Sequence, residues 1–325
     1  MLLKTEAFAV SRQVSAFVEF TDILAHQFLL LRLFVAGNEF QRFRLNDGRW
    51  LAYSQYGLPE AKPILYFHGW PGSRLEAQLA DAVARDFNTR IIAIDRPGMG
   101  MSDFQPRRAI LDCTTDVEQL ANALELERFA VAGISGGEPY ALACALKIPT
   151  RITVVAIICG AGPPEAFESV MQLPSLHRKI IYLCRKAPWF IQMLFQLTTW
   201  QWRHNTSWYL SKISKSLSAA DKLALNRAEV KSTIAQSIQE SIRNGTRGIV
   251  WEGKLYTRPW GFRLQDISKQ VYLWHGERDL IIPPSVAYFQ AKNLPNCIVK
   301  FYPDEGHFSL FTNHMKEFFH VLAGH

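Results

Sequence analysis

The stretch FAVAGISGGEPYALACAL, residues 129–146, decides how this 325-residue chain is read. Phe129 to Ala132 is a short apolar run of the kind that forms a buried strand. Glu138 to Leu146 is rich in small helix formers. Between them stands Gly133-Ile134-Ser135-Gly136-Gly137, a Gly-x-Ser-x-Gly turn. A strand, this turn and a helix in succession force the central residue into a strained geometry and lift its side chain above the sheet. Only very small residues tolerate the crowding two positions to either side, and Gly133 and Gly137 meet that need. Ser135 is the residue presented. The pentapeptide occurs by chance in many chains, so its meaning rests on what surrounds it.

Outward from the turn, strand-like and helix-like segments alternate. Phe40 to Leu45 and Trp50 to Gln55 read as a strand pair joined by Asn46-Asp47-Gly48-Arg49, a hairpin signal. Pro63 to Phe67 and Arg90 to Ile94 read as buried strands, with a helical stretch through Phe87 between them. Cys113 to Leu124 reads as a helix leading into the Ser135 strand, and Ile152 to Cys159 is a continuous apolar run suited to the middle of a parallel sheet. The pattern turns helical from about Gly162 to Arg258, then resumes. Val271 to His275 and Ile298 to Tyr302 read as strands, Ser285 to Asn293 and Ser309 to Leu322 as helices. Repeated strand–helix–strand units imply a mostly parallel α/β sheet with helices on both faces, and ligands in such sheets bind beyond the carboxyl ends of the strands.

Composition excludes several classes. Hydrophobic content of 48% and charged content of 20% are ordinary for a folded soluble protein. Five cysteines without a Cys-x-x-Cys pair give neither a disulfide framework nor a zinc site, and fit reduced thiols in a cytoplasmic protein. The net charge of +7 concentrates between residues 161 and 260, where 14 Lys+Arg stand against 6 Asp+Glu, a local +8. These charges are scattered singly among apolar residues, as on solvated helix faces, and no nucleic-acid motif accompanies them. Residues 1–38 read as a helical extension. Ile23 to Ala36 is too short to span a bilayer, and packing on the protein body is favoured over peripheral membrane contact. Oligomeric state is not legible.

A serine hydroxyl is a weak nucleophile at neutral pH and needs a base, which in turn needs an orienting group. Leu273-Trp274-His275-Gly276-Glu277-Arg278-Asp279 places Asp279 just past a strand, and Asp304-Glu305-Gly306-His307 places His307 after the last one. An isolated histidine after glycine is usually a surface residue and an isolated aspartate there a turn former. In the order Ser135, Asp279, His307, at three strand ends, they make a Ser-Asp-His set. Asp304 and Glu305 are poorly placed to orient so near a neighbour. Backbone N–H donors for a developing oxyanion are expected from Gly136 and from Trp70, in the bend that Gly69, Pro71 and Gly72 allow.

His68-Gly69-x-Pro71-Gly72, Asp95-Arg96-Pro97-Gly98-x-Gly100-x-Ser102-Asp103, the Ser135 turn, His275-Gly276-x-x-Asp279 and Gly306-His307 together resemble the α/β-hydrolase superfamily. The resemblance covers roughly residues 39–161 and 261–325. It implies an eight-stranded, mostly parallel sheet with a helical cap, here residues 162–260, inserted after the sixth strand. It implies a structural, pocket-lining role for Asp95 and Arg96. The residues themselves give no metal or nucleotide site, and Gly133–Gly137 lacks the lysine and spacing of a phosphate loop, so no cofactor is expected. Ser135 stands where the family's epoxide hydrolases and dehalogenases carry aspartate, which disfavours those chemistries. The cap segment holds six of the nine tryptophans (Trp189, Trp200, Trp202, Trp208, Trp251, Trp260), mostly core, some at a pocket mouth, pointing to a small, largely apolar substrate. The expectation is an esterase-type serine hydrolase working through an acyl-enzyme. The alternative is a ligand receptor of the same fold with little turnover.

Overall fold

The computed structural model describes residues 40–168 and 216–324, with single positions 187, 189, 190, 193 and 214 between. The expected extension over 1–38 and the tryptophans Trp200, Trp202 and Trp208 lie outside the described residues.

In chain order the strands are β1 (Gln41–Arg44), β2 (Trp50–Gly57), β3 (Lys62–Phe67), β4 (Thr89–Ile94), β5 (Phe129–Ile134), β6 (Ile152–Ile158), β7 (Val271–Gly276) and β8 (Cys297–Tyr302). They form one sheet ordered β1-β2-β4-β3-β5-β6-β7-β8. β2 is antiparallel to β1 and to β4, and every other pair is parallel. The Asp47-Gly48 hairpin is present, pairing Gln41 with Tyr53. The helices are α1 (Asp81–Asp86), α2 (Cys113–Ala123), α3 (Glu138–Lys147), α4 (Pro164–Glu168), α5 (Ala219–Asn226), α6 (Ala228–Ser241), α7 (Arg247–Tyr256), α8 (Pro284–Asn293) and α9 (His307–Gly324).

The period-two alternation of strand side chains builds two cores. Leu65, Phe67, Ile92, Ile94, Val131 and Ile157 face one side, where they meet Val117 and Leu120 of α2, Leu142 of α3 and Ala287 of α8. Ile64, Tyr66, Ile91, Ala93, Ala132 and Ile158 face the other, against Ala84 of α1 and Leu310 and Phe318 of α9. A third, smaller core belongs to the insert between β6 and β7. Val230, Ile234 and Ile238 of α6 pack with Leu225 of α5, Ile249 of α7 and Met99. Trp70, Ile281 and Phe308, from loops at the carboxyl ends of β3 and β7 and the start of α9, pack against this cluster. The helical insert therefore sits against the loops that carry the predicted site.

Three of the insert tryptophans lie among the described residues. Trp260 is buried in the main core, and Trp251 donates its Nε1–H to the Arg108 carbonyl at 3.1 Å while its ring meets Phe104 edge-on. Trp189 is exposed.

Candidate active site

Ser135 takes φ = +51°, in the left-handed region that costs a residue bearing a Cβ. The surrounding glycines explain how that strain is held. A Cβ on Gly133 would lie 2.8 Å from the Glu138 Cα, and one on Gly137 would lie 2.0 Å from the Phe67 carbonyl oxygen of β3. The turn is therefore clamped between two strands and α3, and any larger residue at either position would force them apart.

Asp279 and His307 come together. The His307 Nδ1 lies 2.7 Å from Asp279 Oδ2, while Asp279 Oδ1 accepts from the backbone N–H groups of Ile281 (2.8 Å) and Ile282 (2.9 Å). Burial works against the charge on Asp279, but the His307 ring and its hydrogen bond, with His275 and the Ile282 N–H, hold its carboxyl below the usual range. Burial likewise opposes protonation of His307, yet Asp279, and behind it the charges of Asp221 and Glu76, raise its pKa. The Cys159 thiol closes the other side, with its Sγ 3.6 Å from the His307 carbonyl oxygen. Burial and the Asp279 charge push this thiol well up, leaving it neutral. Asp304 and Glu305 turn elsewhere, to Arg278 and to Asn313 and His314.

Ser135 belongs to the same end of the sheet. A Cβ on Gly69 would lie 3.6 Å from the Ser135 Cβ, and one on Gly136 would lie 2.8 Å from the Trp70 Cβ. Trp70 and Gly136, the predicted donors, thus flank the serine. Among the described residues no hydrogen bond joins Ser135 Oγ to His307.

The loop after β3, which carries Trp70, is braced by buried charges. Arg96 is fully buried rather than lining a pocket; it donates to the carbonyls of His68 and of Gly69 (3.2 Å) and pairs with Glu252 of α7 at 3.0 Å. Arg108 pairs with the same carboxylate, and the Tyr140 hydroxyl donates to it at 2.7 Å. The Tyr256 hydroxyl lies 2.8 Å from the Gly136 carbonyl oxygen and also meets Glu252, with one proton to share. Burial and the Arg96 charge drive the His68 pKa well down, so His68 is a neutral strut, its Nδ1 2.7 Å from the Gly69 carbonyl oxygen.

Two carboxylates at the site carry no sequence signal. Glu76 Oε1 accepts from the Gly69 N–H (3.0 Å) and the Tyr66 hydroxyl (2.8 Å). Its burial raises its pKa against those two hydrogen bonds, which lower it. Asp221, on α5, accepts from the His307 backbone N–H. His307 itself is the first residue of α9, so the helix begins two residues earlier than the periodicity predicts.

With this geometry in hand, the comparisons with known proteins give the class. The family described as alpha/beta hydrolase fold matches residues 62–314, and the chain belongs to it. A proline iminopeptidase of Xylella fastidiosa is 33% identical over 118 residues, 35% of this chain and 37% of that protein. The chain thus aligns with little more than a third of that relative's length. In fold it resembles an esterase from Exiguobacterium antarcticum (TM-score 0.64, 15% identity, 88% of this chain and 98% of that one). A thermophilic esterase from Thermogutta terrifontis is similar at TM-score 0.62, with 22% identity over 87% of this chain and 96% of that one.

Proposed function

We propose that the chain is a serine hydrolase that cleaves an ester-type bond in a small, largely apolar substrate through an acyl-enzyme. The observation that carries this reading is the buried Asp279–His307 hydrogen bond of 2.7 Å at the sheet end where Ser135 sits in its strained turn. Asp279 accepts the Nδ1–H, which leaves Nε2 of the neutral imidazole as the free acceptor. Nε2 takes the Ser135 proton as Oγ bonds to the carbonyl carbon, and the oxyanion formed meets the N–H groups of Trp70 and Gly136. The tetrahedral centre collapses, the alcohol leaves with the proton from His307, and a water activated by the same nitrogen then frees the acid and restores Ser135. The apolar character follows from Trp70, Ile281 and Phe308, which join the insert's hydrophobic cluster at the site. The esterases sharing the fold favour an ester. The partial likeness to a proline iminopeptidase makes an amide the second reading.

The test is turnover of p-nitrophenyl butyrate, p-nitrophenyl octanoate and proline p-nitroanilide by the wild type and Ser135→Ala. Ester hydrolysis abolished by Ser135→Ala is expected. Cleavage of the anilide alone would replace ester with amide. Equal background rates in both proteins, with tight binding of a ligand, would favour reception over turnover.

A further inference from the structure

His307 is the last catalytic candidate in the chain, yet its backbone is gripped by a residue of the insert. Asp221 stands in the first turn of α5, where the Ser218 hydroxyl oxygen accepts its backbone N–H at 3.2 Å. Its side chain is fully buried and directed at the start of α9. Oδ2 accepts from the His307 N–H at 3.1 Å, and Oδ1 accepts from Phe308 (2.8 Å) and Ser309 (2.9 Å). These are three of the N–H groups that the first turn of a helix leaves without partners. The approach is close enough that a Cβ on Gly306 would lie 2.2 Å from Asp221 Oδ2. An ordinary cap comes from the residue just before its own helix. Here it comes from 86 residues earlier, across the boundary between insert and sheet.

We infer that Asp221 is a positioning residue for His307, fixing the ring's place by holding its backbone. Its charge also lies among those that favour the imidazolium. The inference rests on the proposed serine-hydrolase reading for its catalytic consequence. It goes beyond that reading by making the base's competence depend on α5 being docked. The groups facing His307 come from every element packed on it: Asp279 and His275 at β7, Cys159 after β6, Glu76 after β3, and Asp221 itself. Of the charges among them, Asp221 alone belongs to the insert.

The deciding variants are Asp221→Asn, which keeps the shape but not the charge and sets an NH2 group against the His307 N–H, and Asp221→Glu, which keeps the charge. Two readouts apply to the full chain: 15N-histidine NMR titration, with the His307 signal assigned by its disappearance in His307→Gln, and the pH dependence of fluorophosphonate labelling. Removing a negative charge disfavours the imidazolium, so in Asp221→Asn the His307 midpoint and the acid limb of labelling should both move to lower pH. Labelling on the plateau should slow about tenfold, because a shifted base loses its attack geometry. Asp221→Glu should return the midpoint towards the wild-type value. A His307 midpoint unchanged in Asp221→Asn, or labelling that falls only in step with folded protein, overturns the inference. A wild type that is not labelled would sink the hydrolase reading instead, while the NMR titration still decides the role of Asp221.

Discussion

Replacing Glu252 by glutamine should destabilise the protein far more than a single polar exchange normally does. Glu252 is fully buried between Arg96 and Arg108, themselves buried, and already leaves one positive charge in excess. The variant would leave two guanidinium groups uncompensated inside the fold. Removing one partner of a buried pair costs about 3–5 kcal/mol. Titration gives a second route to the magnitude. Burial pushes the Glu252 carboxyl up, but Arg96 and Arg108 outweigh it and hold the pKa at about 2, against an ordinary 4.5. At 1.36 kcal/mol for each pH unit, that difference corresponds to about 3 kcal/mol in favour of the folded state. Because the folded pKa is the lower one, this contribution is fully present above pH 4.5 and disappears as pH falls through 2. The expected result at pH 7 is an unfolding free energy from urea titration lowered by about 3 kcal/mol at unchanged m, and a Tm lower by about 4–5 °C. The gap between wild type and Glu252→Gln should also close in acid. A loss under about 1 kcal/mol, or a gap that does not narrow below pH 4, would refute the argument, since the cost comes from stranded charge.

Asp279→Asn should slow fluorophosphonate labelling of Ser135 by about 10³–10⁴ and move its acid limb to lower pH, because Asp279 raises the His307 pKa and fixes its tautomer. Unchanged labelling would mean that another group orients the base. Burial pushes the Glu138 carboxyl up to about 8, opposed only by hydrogen bonds from the Gly162 N–H and Gln290. With the folded pKa raised, the wild type should lose stability as pH rises from 4.5 towards 8. Glu138→Gln should escape that loss and be more stable at pH 7 by up to about 3 kcal/mol; equal pH–stability curves in urea would count against it. Gly137→Ala places a methyl 2.0 Å from the Phe67 carbonyl oxygen and should cost at least about 1–3 kcal/mol by thermal unfolding; a neutral result would show that β3 and the turn can part.

Legibility divided along a physical line. Most of the strands stood out as short apolar runs flanked by turn residues, β1 (Gln-Arg-Phe-Arg) only through the Asp47-Gly48 hairpin signal, and β6 reads as buried on both faces from Ile152 to Ile158 alone. Ser135, Asp279 and His307 were visible because each follows a strand that could itself be recognised. The insert was less legible. Its tryptophans read as mostly core with some at a pocket mouth, but the pattern did not say which was which: Trp260 went to the main core and Trp251 to a contact with Arg108. Helical periodicity says which residues share a face but not which surface that face meets. Asp221 looked like any acidic residue in a first helical turn, because its true partners lie 86 to 88 residues on.

The sequence by itself therefore determined the doubly covered sheet, the strained serine turn with its obligatory glycines, and the chain order of the candidate catalytic set. Those features depend on local backbone preference and on alternation along each segment, which neighbouring residues carry. Only the tertiary structure decided that Glu252 lies between Arg96 and Arg108 beside the loop after β3, and that Glu76 stands beside Gly69. It also decided that Asp221 holds the backbone of His307. These contacts join segments far apart in the chain, and a buried charge acquires its role only from the partner that the whole fold brings to it.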